Sequence, residues 1–219
     1  MAALDGVTRT DQYRALGLST FAFTVCFAVW TIFSIIGVQI KEDLGLNDTQ
    51  FGLLVATPVL TGSISRIFLG VWTEQFGGRV MFPLQMLITA VAVWLLTSVQ
   101  TYEIFLLAAL GLGLAGGSFI VGIAYTSRWF EKERQGTALG IFGAGNVGAA
   151  VTNFAAPFLV VAMGWEGTAR VYAVVLAITA VLFYLLAKTD PIHEERKRTG
   201  AGPVSTADQL APLRDIQVW

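Results

Sequence analysis

The sequence predicts an all-α membrane protein with six transmembrane helices. Of its 219 residues, 55% are hydrophobic and only 13% are charged, whereas about 25% are charged in an ordinary soluble domain. The mean hydropathy is +0.66. The apolar residues also come in long unbroken runs rather than in short amphipathic segments. These observations exclude a soluble globular domain.

Six charge-poor stretches reach the length of about 20 residues that a helix needs to cross a bilayer. In chain order they are 16–38, 51–72, 81–98, 104–126, 137–163 and 171–187. The first stretch exceeds the apolar core of about 7–15 residues that is typical of a signal peptide, and no small-residue cleavage pattern follows it. We therefore expect it to be the first membrane helix of a bundle formed by residues 1–187.

The remaining residues are predicted to leave the membrane and then approach it again. Residues 188–213 are polar, include the run HEERKRTG, and are rich in glycine and proline, which is typical of a linker. Residues 214–219 turn apolar again. The sequence predicts a cytoplasmic linker followed by the start of a truncated seventh span.

Lysine and arginine are distributed unequally between the two sides of the predicted bundle. One side has only Lys41 and Arg170. The other side has eleven cations: Arg9, Arg14, Arg79, Arg128, Lys132, Arg134, Lys188, Arg196, Lys197, Arg198 and Arg214. Because cytoplasmic loops carry the excess of positive charge, we expect a multi-pass protein of the plasma (inner) membrane with both termini of this chain in the cytoplasm.

Charge and residue content exclude several classes of function. The formal net charge is −1 and the pI about 5.8, so nothing resembles the basic patch that nucleic acid requires. The single cysteine, Cys26, cannot form an internal disulfide. The spans contain no Ser/His/Asp constellation, metal-ligand cluster or carboxylate pair, so we expect neither an enzyme nor a bound cofactor.

Arg66 is the only ionisable charge predicted at membrane depth. All fifteen carboxylates and the single histidine can be placed outside the spans, so Arg66 has no acidic partner there. An arginine at the centre of a membrane helix costs about 2.5–3.5 kcal/mol and is a functional candidate for that reason. Its natural partner is an external anion, although snorkelling to the interface is the alternative. Gly62, Ser63 and Gly70 share its face and favour a direction into a bundle.

Ten of the 23 glycines fall between residues 111 and 148. Such a density allows close helix packing, with Gly113/Gly117 and Gly136/Gly140 as small-residue pairs. The segment GAGNVG, residues 143–148, also fits the dinucleotide-binding pattern, but that pattern needs a preceding strand in a βαβ unit. Here it lies inside an apolar helix, so we reject the nucleotide interpretation.

Two side chains in this glycine-rich region are candidates for contact with a ligand. The amide of Asn146 needs partners at membrane depth and can donate to an anion; an interhelical hydrogen bond is an equally good interpretation. Phe119 lies among small residues and could form one wall of a slot for a flat ligand. An isolated aromatic residue is more often a packing residue.

Two stretches resemble the N-terminal half of a nitrate/nitrite porter of the major facilitator superfamily. GVWTEQFGGRV, residues 70–80, is similar to the superfamily loop G-x-x-x-D-R-x-G-R-K, with Glu74 in place of aspartate and two basic positions replaced. Residues 116–157, GGSFIVGIAYTSRWFEKERQGTALGIFGAGNVGAAVTNFAAP, resemble the more specific nitrate signature. The resemblance covers all six predicted spans.

The resemblance implies a substrate site and a cytoplasmic gate. Substrate would be bound by a clamping arginine, an aromatic wall and the signature: Arg66, Phe119, Asn146, Gly143 and Gly145. The gate between the two halves would include Gly70, Glu74, Gly77 and Arg79. The second half of the site would come from a C-terminal six-helix bundle that this chain does not contain.

The expected function is transport of nitrate or nitrite by alternating access, with the anion clamped by Arg66. The spans hold no Asp, Glu or His from which to build a proton relay, so nitrate/nitrite exchange is favoured over proton-coupled uptake. Two alternatives stay open. One is a porter for another small anion such as a monocarboxylate, and the other is a non-transporting six-span scaffold or sensor.

Overall fold

Nine α-helices make up almost all of the described chain. The computed structural model describes residues 6–98 and 101–200, together with Gly202, Thr206 and Gln209, and these residues form no β-strand. The helices are α1 Arg9–Trp30, α2 Phe33–Asp43, α3 Asp48–Phe76, α4 Gly78–Leu96, α5 Tyr102–Gly113, α6 Ser118–Ser127, α7 Lys132–Gly143, α8 Gly148–Leu186 and α9 Pro191–Thr199. One-turn 3₁₀ segments, Leu114–Gly117 and Ala144–Val147, join α5 to α6 and α7 to α8.

Among the described residues, five helical segments are long and apolar enough to cross a membrane. They are Arg9–Asp43, Asp48–Phe76, Gly78–Leu96, Tyr102–Ser127 and Lys132–Leu186. They contain all six predicted spans apart from a residue or two at the ends of the third and the sixth. The prediction of an all-α membrane protein is therefore confirmed, and the apolar helices lie where the sequence predicts them.

The fifth segment is 55 residues long and contains two of the predicted spans, because the chain reverses within it. Gly164 has φ 72° and ψ 175°, a conformation open essentially only to glycine. Thr152 and Tyr172 would be about 30 Å apart along a straight helix, yet the Tyr172 hydroxyl lies 3.2 Å from Thr152 Oγ1. The two arms of α8 are therefore antiparallel. Six crossings of a membrane stay a prediction.

The loops that connect successive long helices lie alternately at the two ends of the bundle. At one end, Lys188 pairs with Asp11 at 2.8 Å, so the beginning of α1 and the end of α8 lie together. At the other end, the Trp165 indole donates to Asp43 at 2.7 Å. The end with Asp11 and Lys188 is the one that the sequence predicts to be cytoplasmic, and we call it the basic end.

Residues predicted to be a linker contain a helix packed on the bundle. Asp190 begins α9 by accepting a hydrogen bond from the His193 backbone N–H at 3.1 Å, with Pro191 in the first turn. Gly200, at φ 67°, ends it. Pro191 and His193 are buried. The linker boundaries stay predictions, and the predicted start of a seventh span, 214–219, lies outside the described residues.

Glycine brings two helices of the bundle into backbone contact. A Cβ on Gly113 would lie 2.8 Å from the Pro58 carbonyl oxygen, and one on Gly117 would overlap Leu69. The close packing predicted for this pair is therefore confirmed. By contrast, Gly136 and Gly140 have nothing within 4 Å of a Cβ, so this face of α7 is open in the described part of the chain.

Candidate anion site and cytoplasmic gate

Arg66 lies on α3 between two glycines that contact the α5–α6 segment. A Cβ on Gly62 would lie 3.5 Å from Gly116 Cα, and a Cβ on Gly70 would lie 3.6 Å from Ile120 Cγ1. Residue numbers thus rise together along α3 and α5–α6, so the two run parallel. Arg66, one turn from each glycine, is therefore at the level of Phe119 in the bundle.

The guanidinium of Arg66 is not enclosed by this chain's own helices. Its side chain is exposed, whereas Gly62 and Ser65 on the neighbouring stripe of α3 are buried. The described residues give it no carboxylate and no hydrogen-bond acceptor. Gly62 thus points into the bundle, as the sequence predicts for this face. Arg66 lies at the exposed edge of the same face, and within the described part of the chain none of its donors has a partner.

Phe119 is half-buried in a cluster of three phenylalanines. Its ring centroid lies 5.5 Å from that of Phe23 and 6.0 Å from that of Phe142. Phe23 and Phe142 are themselves stacked at 4.8 Å. The cluster joins α1, α6 and α7 and leaves part of the Phe119 ring accessible. Its packing against Phe23 and Phe142 restricts the movement of the Phe119 ring.

The predicted signature residues lie near Phe119, because Gly145 packs against Phe23 and Phe23 packs against Phe119. A Cβ on Gly145 would lie 2.5 Å from Phe23 Cδ1 and 3.1 Å from the Thr20 carbonyl oxygen, so only glycine fits there. Asn146 is exposed, and its Nδ2 donates to the Gly143 carbonyl at 2.9 Å. This bond is local, so the interhelical bond considered from the sequence is not formed. The second N–H of the amide stays available.

Each of these groups has the chemistry to contact a small planar anion. The guanidinium offers a planar fork of donors that matches an oxyanion, the amide offers one more donor, and the aromatic ring offers a flat apolar wall. A separate groove of about 860 Å³ between α2 and α3 is lined by Phe33, Val38, Phe51, Val55 and Leu60, among others. Its apolar lining does not suit an anion.

A buried ionic network lies at the basic end, where the gate was predicted. Arg128, directly after α6, pairs with Glu74 near the end of α3. Its Nη1 also lies 3.3 Å from Asp190 Oδ2 and 3.0 Å from His193 Nδ1. The side chains of Arg128 and Asp190 are only 6% and 1% exposed. The network therefore ties α3 and α6 to the start of α9.

The pKa of the Asp190 carboxyl is lowered from its ordinary value by this network. Burial alone would raise it, but the hydrogen bond from His193 and the charge of Arg128 outweigh burial. Each of these contacts stabilises the carboxylate over the neutral acid. Asp190 is therefore a charged group inside this network at neutral pH.

The other predicted gate residues surround this network. Gly77, at φ 84°, ends α3 against the ring of His193. Arg79 lies over the Tyr184 ring, 5.4 Å from its centroid, and its Nη1 donates to Thr189 Oγ1 at 3.5 Å. The sequence did not identify Arg128, Asp190 or His193 as partners. The run HEERKRTG was interpreted only as part of a linker.

These features define an α-helical, multi-pass membrane protein. A sequence profile of the Major Facilitator Superfamily matches residues 18–218, and the chain belongs to that superfamily. Membership of a superfamily of porters indicates a transporter rather than an enzyme. In the described residues no group of three or more His, Cys, Asp or Glu side chains could hold a metal ion.

The curated relatives bear names that refer to nitrate and nitrite. The chain is similar to the probable nitrate/nitrite antiporter NarK1 of Thermus thermophilus, with 41% identity over 96% of this chain and 49% of the relative. It is 34% identical to a nitrite extrusion protein of Bacillus subtilis, over 95% and 51%. It is 33% identical to the probable nitrate transporter NarT of Staphylococcus carnosus, over 78% and 44%. The chain thus spans about half the length of these relatives.

Proposed function

We propose that this chain forms one wall of a site that carries nitrate or nitrite across the inner membrane by alternating access. Arg66 neutralises and orients the anion, Asn146 donates a hydrogen bond, and Phe119 bounds the slot. Gly143 and Gly145 allow the backbone of the signature to approach. The observation that carries the proposal is the unpartnered guanidinium of Arg66 at the level of Phe119.

A second six-helix bundle completes the site in this proposal. Two observations support it: the relatives are about twice as long as the matched region, and Arg66 and Asn146 are exposed rather than enclosed. The bundle would cover the open side and supply the opposite wall. Glu74, Gly77 and Arg79, with Gly70 above them, would form the cytoplasmic gate, and both ends of this chain would face the cytoplasm.

Substitution of Arg66 by lysine tests the central role. Lysine keeps the positive charge but loses the planar fork, so we expect the KM for nitrate uptake by the full-length protein to rise at least about tenfold. Arg134→Lys is the matched control, since Arg134 is exposed on α7 near the basic end. Equal KM values in the two variants would exclude the bidentate clamp.

Coupling is tested separately by measuring protons. Because the spans supply no carboxylate or imidazole, we favour exchange of nitrate for nitrite over proton symport. In proteoliposomes loaded with nitrite, nitrate entry should then leave the external pH unchanged. Alkalinisation that follows nitrate entry would show symport instead. Formate as a competing anion distinguishes a nitrate porter from a monocarboxylate porter.

A further inference from the structure

The indole of Trp30 fills a notch between two helices, close to the proposed site. Trp30 is the last residue of α1, and its Nε1 donates to the Pro58 carbonyl at 3.1 Å. A Cβ on Gly116 would lie 2.9 Å from Trp30 Cε2, and one on Gly62 would lie 3.3 Å from Trp30 Nε1. A single side chain therefore contacts both α3 and the 3₁₀ segment before α6.

Each contact is about one helical turn from a proposed anion-binding residue. Gly62 is four residues before Arg66, and Gly116 is three residues before Phe119. Such spacings place the contact on the same side of the helix as the binding residue, one turn away. The indole therefore packs against both of the touching backbones, one turn from Arg66 on one and one turn from Phe119 on the other.

The hydrogen bond is made at a weak point of α3. Proline removes one backbone donor from a helix interior and its ring clashes with the carbonyl four residues earlier, here that of Leu54, and Pro58 lies two turns before Arg66. A second donor on the Pro58 carbonyl fixes the helix there. Where water is excluded, such a bond is stronger than in solvent, so the indole N–H ties the Pro58 turn of α3 to the end of α1.

We infer that Trp30 is a positioning residue for the anion site, acting on Arg66 through Pro58 and Gly62 and on Phe119 through Gly116. The inference rests on the proposed function. Trp30 does not itself bind the anion. It holds the guanidinium fork and the aromatic wall at the spacing that a small planar anion requires, because geometry within about 0.5 Å decides the quality of such a site.

Trp30→Phe in the full-length protein tests the role, because it removes the N–H and keeps an aromatic ring. We expect the KM for nitrate in proteoliposomes to rise roughly three- to tenfold with kcat within about twofold of wild type. Trp94→Phe is the matched control, since Trp94 is 47% exposed on α4. A KM equal to that of Trp94→Phe would overturn the inference, and so would a loss of kcat alone.

A double-mutant cycle with Arg66→Lys shows whether Trp30 acts through Arg66. Arg66→Lys removes the guanidinium fork, so the exact position of residue 66 no longer matters. Trp30→Phe should therefore add little to the KM of Arg66→Lys. Fully multiplicative effects would overturn the inference. Absence of nitrate transport by wild type would instead refute the proposed function, and the inference with it.

Gly116→Ala provides a second route if Trp30→Phe does not fold. The added methyl group would lie 2.9 Å from the indole and 3.2 Å from Gly62 Cα, so it displaces the indole from the notch and also presses on α3, without altering Trp30 itself. We expect the same rise in KM and the same lack of additivity with Arg66→Lys. Gly17→Ala, at an exposed position on α1 where nothing lies within 4 Å, is its control, and equal KM values for the two alanine variants would overturn the inference.

Discussion

Arg128 pairs with Glu74, and this contact joins the end of α6 to the last turn of α3. The same guanidinium contacts Asp190, so α9 is held by the charge that also fixes the two membrane helices. Buried charges are stable only when their partners are present. The ionic network at the basic end is therefore a single unit, in which removal of one charge affects three helices.

Substitution of Arg128 by methionine should destabilise the protein strongly. The change leaves the buried carboxylate of Asp190 without its guanidinium, and breaking a buried pair in this way costs about 3–5 kcal/mol. We expect a clearly lower Tm for the purified protein in detergent. Arg134→Met removes an exposed arginine at the same end and should leave the Tm almost unchanged. Equal Tm values would contradict a structural role for the network.

Asp190→Asn should change how stability depends on pH. The folded pKa of Asp190 is lowered, so its carboxylate contributes stability that is complete above the ordinary pKa of about 3.9. That contribution is lost as the pH falls through the lower pKa of the folded state. Asparagine keeps the oxygen that begins α9 but has no charge to lose.

The measurement is the difference in Tm between wild type and Asp190→Asn, taken from neutral pH down into the acid range. The difference should be constant near neutrality and shrink only below about pH 4. A difference that disappears between pH 6 and 8 would show that a group other than Asp190 controls the stability of the gate.

Two glycines of the signature should respond differently to alanine. A Cβ on Gly145 meets Phe23 and the Thr20 carbonyl, whereas a Cβ on Gly143 meets nothing within 4 Å. Overpacking costs about 1–3 kcal/mol, so Gly145→Ala should lower the Tm and Gly143→Ala should not. If Gly143→Ala still raises the KM for nitrate, the open side of Gly143 faces the substrate. Equal losses of Tm would contradict the described packing.

Asn146→Ala should weaken nitrate binding without unfolding the protein. Its amide makes only a local bond with Gly143, so little stability depends on it. Loss of one hydrogen bond to a charged ligand should raise the KM roughly tenfold or more. Asn153→Ala is the control, since Asn153 is an exposed amide two turns further along the chain. If the two variants share one KM, Asn146 does not contact the anion.

Hydropathy located the membrane segments because the bilayer demands a length and a composition that few other structures share. It also separated the two arms of α8, since the polar residues Glu166, Thr168 and Arg170 follow Gly164. It gave no sign of the break at Thr31 and Ile32 between α1 and α2. A backbone irregularity of two residues leaves the apolar run uninterrupted.

The ionic network at the basic end could not be found in the same way. Arg128 and Asp190 are 62 residues apart in the chain, and a charged segment outside the spans is equally typical of a solvated linker. Only the packing of α9 brings the charges together. The direction of Arg66 was also beyond the sequence, because a stripe of small residues does not distinguish a buried face from its exposed edge.

The backbone contacts of Gly62, Gly113 and Gly116 have a mechanical consequence. Helices that touch through their main chains have no flexible side chains between them to absorb a displacement, so α3 and α5–α6 must move as one rigid body. The open glycine face of α7 has no such interlock. We expect any sliding of helices during a transport cycle to occur along α7, while α3 and α5–α6, which carry Arg66 and Phe119, keep their relative positions.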